Sequence, residues 1–150
     1  MNLRIGNIWS EKDKFDVLCF TANSILKPPD FRLVMGAGFA KQILDNYKGI
    51  DYYLGRKLSL LHKQVYGLMI CDTFFPVTIC AFQTKIDFSD PSRLDVIGYS
   101  TIELLRYINK YKPKRIDLNY PGIGLGGLDE KLVYEVIKYL PNQVNVWKNS

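Results

Sequence analysis

The chain has 150 residues, of which 47% are hydrophobic and 13% aromatic, and its formal net charge is +5. This length and composition predict one domain, residues 1–150, with a substantial core, and they exclude a disordered chain. The positive charge favours an anionic partner such as a nucleotide or a nucleic acid. The basic residues are scattered, however, and their densest group (residues 110–115) is typical of a solvated turn.

Several classes of site are excluded by what the chain lacks. The three cysteines lie in apolar, strand-like runs without metal-ligand spacing, which predicts buried thiols in a reducing, cytoplasmic compartment. His62 is the only histidine, which argues against imidazole triads and multi-histidine metal sites, so we expect no metal and no cofactor. The longest apolar stretch, 67–82, is interrupted by Asp72 and Pro76, so we expect no membrane partner.

The first half of the chain alternates between apolar runs and helical periodicity. A short strand is predicted at Leu3–Trp9 and a buried strand at Asp16–Thr21. Two prolines make Asn23–Leu33 a predicted loop. Apolar residues at helical spacing then predict one helix over 36–49 and a second over Asp51–Lys63.

The second half continues the alternation and defines the fold class. Its predicted elements are strands Val65–Cys71 and Val77–Gln83, helix Ser92–Tyr111, strand Arg115–Tyr120, helix Glu130–Tyr139 and strand Gln143–Trp147. Strands that alternate with helices imply a mostly parallel sheet, while two adjacent strands require an antiparallel or edge element. We therefore predict an α/β protein with three α/β/α layers around a mixed, mostly parallel central sheet.

Two glycine-rich segments follow apolar runs and precede helix-like stretches. The first glycine loop is Met35-Gly36-Ala37-Gly38-Phe39, and the second is Pro121-Gly122-Ile123-Gly124-Leu125-Gly126-Gly127-Leu128-Asp129. Backbone N–H groups at a helix N-terminus bind anions, and glycine removes the Cβ atoms that would hold a ligand away. Together the loops could hold a ligand with two phosphates or with a phosphate and a ribose, although ordinary strand-to-helix turns look the same.

The second loop is not a dinucleotide-binding fingerprint. Gly122, Gly124 and Gly127 match G-x-G-x-x-G, but that motif belongs to the first βαβ unit and precedes an acidic residue by about 20 positions. Here the motif lies late in the chain, and no carboxylate occurs near Asn145. Neither loop ends in the Gly-Lys-Ser/Thr sequence of a P-loop.

The order of elements and both loops resemble the macrodomain family. The similarity covers Thr21-Ala22-Asn23-Ser24, the first glycine loop with its following helix, the second glycine loop and the closing strand Val144-Asn145-Val146-Trp147. Within this family, the Met-Gly-Ala-Gly form of the first loop resembles the loop of one branch, which contains terminal ADP-ribose glycohydrolases and antitoxins that remove ADP-ribose from DNA. Phe82-Gln83-Thr84-Lys85 is similar to the strand end that carries the catalytic lysine there, and Asp129 matches its catalytic aspartate.

The resemblance implies that the ligand is ADP-ribose and that the activity removes ADP-ribose from a protein side chain, a nucleobase or an acyl group. It implies catalytic roles for Lys85, Asp129 and Asn23. Its implied ligand contacts are Asn7, Ile8, Thr21, Ala22, Met35, Gly36, Ala37, Gly38, Phe39, Thr84, Pro121, Gly122, Ile123, Gly124, Leu125, Gly126, Gly127, Leu128 and Trp147. A lysine amine can attack the anomeric carbon in its open-chain form, because amines add to carbonyls, and an aspartate can act as general acid or base.

Each of these roles has a structural alternative. Lys85 could be a solvated charge, Asp129 a helix N-cap, and Trp147 a core residue instead of an adenine-stacking one. Asn7 stands where macrodomains usually carry an aspartate that accepts from adenine, and residues 86–90 lack the basic residues common in the branch. The second of these departures weakens the case for a substrate on DNA.

Three functions remain open on the sequence. The first is hydrolysis of ADP-ribosyl conjugates by a Lys/Asp pair, the second is ADP-ribose 1″-phosphate phosphatase activity, and the third is non-catalytic binding of ADP-ribose. Direct nucleic-acid binding has no run of basic residues to support it. We expect a monomer.

Overall fold

A computed structural model describes residues 1–149. The strands are β1 (Asn2–Ile5), β2 (Val17–Ala22), β3 (Leu26–Lys27), β4 (Arg32–Leu33), β5 (Leu68–Cys71), β6 (Thr78–Gln83), β7 (Ile116–Asn119) and β8 (Val144–Lys148). The helices are α1 (Phe39–Asn46), α2 (Ile50–Leu61), α3 (Leu94–Tyr111) and α4 (Glu130–Ile137). Two 3₁₀ helices cover Ile8–Lys14 and Gly124–Gly126.

Six strands form one mixed sheet in the order β1-β8-β7-β2-β6-β5. β5 is antiparallel to β6, and the other four strand pairs are parallel. The predicted mostly parallel sheet with an antiparallel edge is confirmed.

Side chains that alternate along the strands build two cores. Leu18 and Phe20 of β2 belong to the core under α1 and α2, whereas Val17 and Cys19 belong to the core under α3 and α4. This alternation is what a strand buried on both faces requires. The three-layer α/β/α prediction is therefore confirmed.

The strand predicted at Leu3–Trp9 is wrong beyond Ile5. Gly6 has a φ of +137°, which turns the chain, and the Asn7 side chain then accepts a hydrogen bond from the Trp9 N–H at 3.0 Å. An asparagine in this position caps a helix, so a 3₁₀ helix replaces the end of the predicted strand.

The loop predicted at Asn23–Leu33 contains a small hairpin. β3 and β4 pair antiparallel, with Leu26 opposite Leu33. α2 approaches the hairpin so closely at Gly55 that a Cβ there would lie 2.1 Å from the Phe31 carbonyl oxygen. The prolines in this segment favour a loop when propensity alone is considered, so the sequence does not predict the hairpin. Packing against α2 stabilises it.

The remaining sequence predictions concern the cysteines, the histidine and membrane-spanning segments. The three cysteines are buried, and His62 is exposed at the end of α2. Within residues 1–149, no helix combines the length and the apolar character that a membrane span needs.

Candidate ligand-binding cleft

The carboxyl ends of β1, β8, β7, β2 and β6 line a cleft of about 1320 Å³. Asn7 follows β1, Asn119 ends β7, Asn23 follows β2, and Lys85 follows β6. Ligands of open α/β sheets bind at this edge. Since neighbouring strands lie about 4.8 Å apart, the four intervals give the cleft a length of about 19 Å.

The two glycine loops meet across this cleft. Both contribute to its lining, and a Cβ at Gly38 would lie 3.9 Å from Leu125 Cδ1. The loops are remote in sequence. The second follows β7, and the first comes after the β3–β4 hairpin that follows β2, the neighbour of β7 in the sheet. The geometry that joint binding of one ligand requires is present.

Backbone donors at this junction have no protein partner. The N–H groups of Gly36, Ala37, Gly38, Gly122 and Ile123 donate to no acceptor within residues 1–149. All five residues line the cleft. Because neighbouring N–H groups without partners attract anions, this part of the cleft favours phosphate oxygens.

The glycines of the loops serve two purposes. No atom lies within 4 Å of a Cβ built at Gly36 or Gly124, so these two positions leave space for a ligand. A Cβ at Gly122 would lie 2.7 Å from Ile97 Cδ1, and one at Gly126 would lie 2.6 Å from Ser92 Oγ. Gly122 and Gly126 are therefore required by packing inside the protein.

Lys85 is the lysine that follows β6 at one end of the cleft. It is partly buried, and its Nζ makes no hydrogen bond or salt bridge within residues 1–149. Its carbonyl oxygen accepts from Gln83 Nε2 at 3.1 Å, which fixes the backbone from which the amine extends. The amine is therefore available to a ligand.

Asp129 has a different setting. Its carboxylate caps α4 by accepting from the Lys131 N–H at 2.8 Å, and the residue is exposed and does not line the cleft. The N-cap alternative is confirmed, and the structure does not bring Asp129 together with Lys85 in the cleft wall. Its implied catalytic role stays a prediction.

Asn23 supports the first glycine loop. The side chain is 5% exposed, donates to the Val34 carbonyl at 2.9 Å and accepts from the Ile25 N–H at 2.9 Å. The Tyr66 hydroxyl donates to the Asn23 carbonyl at 2.6 Å, and burial raises the pKa of Tyr66. Tyr66 therefore acts as a fixed donor, and Asn23 keeps one N–H for a ligand.

A side chain also joins the strands on which the two loops depend. Asn119 Nδ2 donates to Thr21 Oγ1 at 2.9 Å, and Asn119 Oδ1 accepts from the Thr21 N–H at 3.0 Å. The backbone pairing of β2 and β7 ends at Cys19 and Leu118. Beyond these residues, the side-chain amide of Asn119 makes the hydrogen bonds that join the two strands. Asn119 thereby sets the separation of the loops at the floor of the cleft.

The end of the cleft at β1 is aromatic. The rings of Trp9 and Phe39 lie with their centroids 5.6 Å apart beside Asn7 and Ile8. Trp147 is 5% exposed, its indole N–H donates to Asp117 Oδ1 at 2.9 Å, and the Arg4 guanidinium lies 4.5 Å above the ring. This burial favours the core role of Trp147 over adenine stacking.

The predicted and observed cleft residues differ at both ends of the loops. Met35, Pro121, Gly127, Leu128 and Asp129 do not line the cleft. Lining residues that the sequence interpretation missed include Trp9, Phe88, Asp90, Ser92, Asn119, Tyr120 and Glu130. These missed residues belong to no motif, and the position of Asn119 at the end of a strand was the one usable signal.

Ionisable side chains near the cleft take part in hydrogen bonds and an ion pair. Burial raises the pKa of Tyr120 to about 12, and its hydroxyl donates to the Glu130 carbonyl at 3.1 Å. Glu130 Oε1 pairs with Lys148 Nζ at 2.8 Å. In the part of the chain that the structure describes, no three His, Cys, Asp or Glu residues form a metal-binding group.

Comparison with known proteins identifies the fold. The chain matches no protein-family model and no curated protein sequence. The macrodomain of Mycobacterium tuberculosis DarG is 22% identical to this chain and has a TM-score of 0.80. The match covers 99% of this chain and 98% of that macrodomain. The macrodomain of Thermus aquaticus DarG is also 22% identical, with 99% and 97% coverage and a TM-score of 0.75.

A third structure contains a ligand. Thermosipho africanus DarTG in complex with ADP-ribose is 16% identical to this chain, with a TM-score of 0.78. The match covers 100% of this chain and 42% of the DarTG chain. This chain thus spans less than half of that protein. The chain described here has the macrodomain fold.

Proposed function

We propose that this chain binds ADP-ribose in the cleft and hydrolyses ADP-ribosyl conjugates. The observation that carries the proposal is the group of backbone N–H groups, among them those of Gly36, Gly38 and Gly122, that have no acceptor within residues 1–149 where the two glycine loops meet. A diphosphate supplies the acceptors that such a group of donors lacks. The ADP-ribose complex of the DarTG neighbour, which shares the fold, agrees with this choice of ligand.

The order of the strands orients the ligand. The aromatic end at Trp9 and Phe39 suits the purine, the loops over β7 and β2 suit the diphosphate, and Lys85 beyond β6 then lies at the distal ribose. A path of about 19 Å across five strand ends accommodates these three parts in one extended molecule.

Lys85 is the proposed nucleophile. The lone pair of its amine nitrogen forms a bond to C1″ of the distal ribose while the bond from C1″ to the conjugated oxygen or nitrogen breaks. The leaving group keeps the electron pair of the broken bond and takes up the proton that the attacking nitrogen loses. Water then cleaves the bond between C1″ and Nζ, which releases ADP-ribose and restores the amine.

Calorimetry and turnover test the two halves of the proposal separately. Wild-type protein should release heat on titration with ADP-ribose, and no heat at millimolar ligand would remove the proposal. Lys85→Ala should bind ADP-ribose with an affinity close to that of wild type but lose turnover of glutamate-linked or thymidine-linked ADP-ribose by about a hundredfold or more. Lys63→Ala, which removes an exposed lysine outside the cleft, is the matched control.

One observation favours a second candidate, a non-catalytic ADP-ribose reader. Asp129 caps α4 outside the cleft wall, so the proposed pair of Lys85 and Asp129 is not assembled there. Full ADP-ribose binding without product from any conjugate would select the reader. Phosphate release from ADP-ribose 1″-phosphate, without release from conjugates, would instead select the phosphatase.

A further inference from the structure

Two buried residues of the cleft wall carry hydroxyl groups that the protein itself does not use. Ser92 is 5% exposed and Thr84 is 2% exposed, and neither hydroxyl makes a hydrogen bond within residues 1–149. No fully buried side-chain nitrogen or oxygen in that range lacks a partner. Both hydroxyls therefore reach the cleft that their residues line.

Ser92 is fixed against the second glycine loop. Its N–H donates to the Gly126 carbonyl at 2.8 Å. A Cβ at Gly126 would lie 2.6 Å from Ser92 Oγ, and a Cβ at Gly122 would lie 3.4 Å from Ser92 Cβ. The two glycines thus make room for this serine, and its hydroxyl lies directly beside the loop whose N–H groups favour an anion.

The position of Ser92 also relates it to the reacting end. The following residue, Arg93, donates its N–H to the Thr84 carbonyl at 2.8 Å, which places this segment next to the strand end that carries Lys85. α3 starts at Leu94, so the positive end of an 18-residue helix lies two residues away.

We propose that Ser92 is a ligand-binding residue whose Oγ donates a hydrogen bond to the phosphate farther from the base. The inference rests on the proposed function and assigns a contact for that ligand. A buried hydroxyl without a protein acceptor gains most from an anionic oxygen, because hydrogen bonds to charged groups are the strong ones. A serine that only packed against the glycines would need no hydroxyl.

The test measures the Kd of ADP-ribose, ADP and AMP for wild type and Ser92→Ala. We expect the substitution to raise the Kd for ADP-ribose and ADP by about tenfold or more, and to leave the Kd for AMP unchanged. A loss confined to ADP-ribose would place the contact on the distal ribose, and a loss with AMP would place it elsewhere. Either result overturns the phosphate assignment.

Two controls separate binding from folding. Thr101→Val removes a buried α3 hydroxyl that bonds the Ile97 carbonyl at 2.8 Å outside the cleft, so it should not change the Kd. Ser92→Cys keeps the side-chain shape with a weaker donor and should give an intermediate Kd at an unchanged melting temperature.

The outcomes for wild type and variant distinguish the two proposals. Wild-type protein that binds no ADP-ribose refutes the proposed function. Wild-type protein that binds, with Ser92→Ala binding equally well, refutes only the role of Ser92.

Discussion

Asp129 is the residue at which a structural and a chemical role can be separated. Its Oδ1 caps the first turn of α4 through the Lys131 N–H. We expect Asp129→Ala to lower the free energy of unfolding by about 1 kcal/mol, because an alanine leaves that N–H without a partner, and Asp129→Asn to restore it. Chemical denaturation of the three proteins measures the difference.

The turnover of Asp129→Asn then decides the catalytic prediction. A loss of kcat at wild-type stability would support a carboxylate in the reaction, since asparagine caps the helix but transfers no proton. Wild-type turnover would limit Asp129 to capping. A fall in stability for Asp129→Asn equal to that of Asp129→Ala would contradict the capping role itself.

At the scale of elements, residues 62–67, between α2 and β5, are joined by hydrogen bonds to the backbone that carries Lys85. Gln83 is fully buried, and its Oε1 accepts from the Tyr66 and Gly67 N–H groups at 2.8 and 3.1 Å. Its Nε2 donates to the carbonyls of Gln64 and Lys85 at 2.7 and 3.1 Å. The side-chain amide of Gln83 thus makes all four hydrogen bonds open to it, and it joins β6 to residues 64–67 and to the backbone of Lys85.

Removing this support should damage both stability and the position of Lys85. We expect Gln83→Met to cost about 2–4 kcal/mol of unfolding free energy, because it removes the partners of two buried N–H groups and of two partly buried carbonyls. Since it also frees the Lys85 carbonyl, kcat should fall by about ten- to a hundredfold while the Kd for ADP-ribose changes little. Thr101→Val, which loses a hydrogen bond inside α3, should keep wild-type kcat. Equal losses of kcat in both variants would mean that general destabilisation causes the effect.

Elements with strong local signals could be predicted from the sequence, and those held by packing could not. The apolar runs of β2 and β6 and the helical spacing of α3 determine those elements on their own. The 3₁₀ helix after β1 depends on the conformation of Gly6 and the cap at Asn7, and the hairpin of β3 and β4 depends on contact with α2. The strand order also depends on pairings between distant segments that periodicity does not encode.

The same distinction holds for the site. The glycine loops and Lys85 could be selected from the sequence because each stands in a run of consecutive residues that resembles a macrodomain motif. Ser92 and Asn119 were not, because a serine before a helix and an asparagine after a strand are common in every fold. Their places in the cleft wall depend on neighbours remote in the sequence, Gly126 for Ser92 and Thr21 for Asn119.

For the whole molecule, the cleft crosses the ends of five of the six strands of the central sheet, so a ligand that filled it would contact both halves of the fold. The first glycine loop precedes α1 on one side of the sheet, and the second precedes α4 on the other. A diphosphate held between the loops therefore links the two helical layers. Unfolding of either layer must release it.

This geometry predicts a ligand-dependent melting temperature. At a free ADP-ribose concentration of 100 times Kd, linkage adds about 2.7 kcal/mol of stability, which corresponds to a rise of about 5–10 °C for a domain of this size. Scanning fluorimetry over a range of concentrations measures the rise. Lys85→Ala should show the same shift because it keeps the loops, whereas Gly124→Val should lose most of it, because it fills the space left for the ligand at a φ of +63°. A shift that survives Gly124→Val in the folded variant would mean that ADP-ribose binds away from the loops.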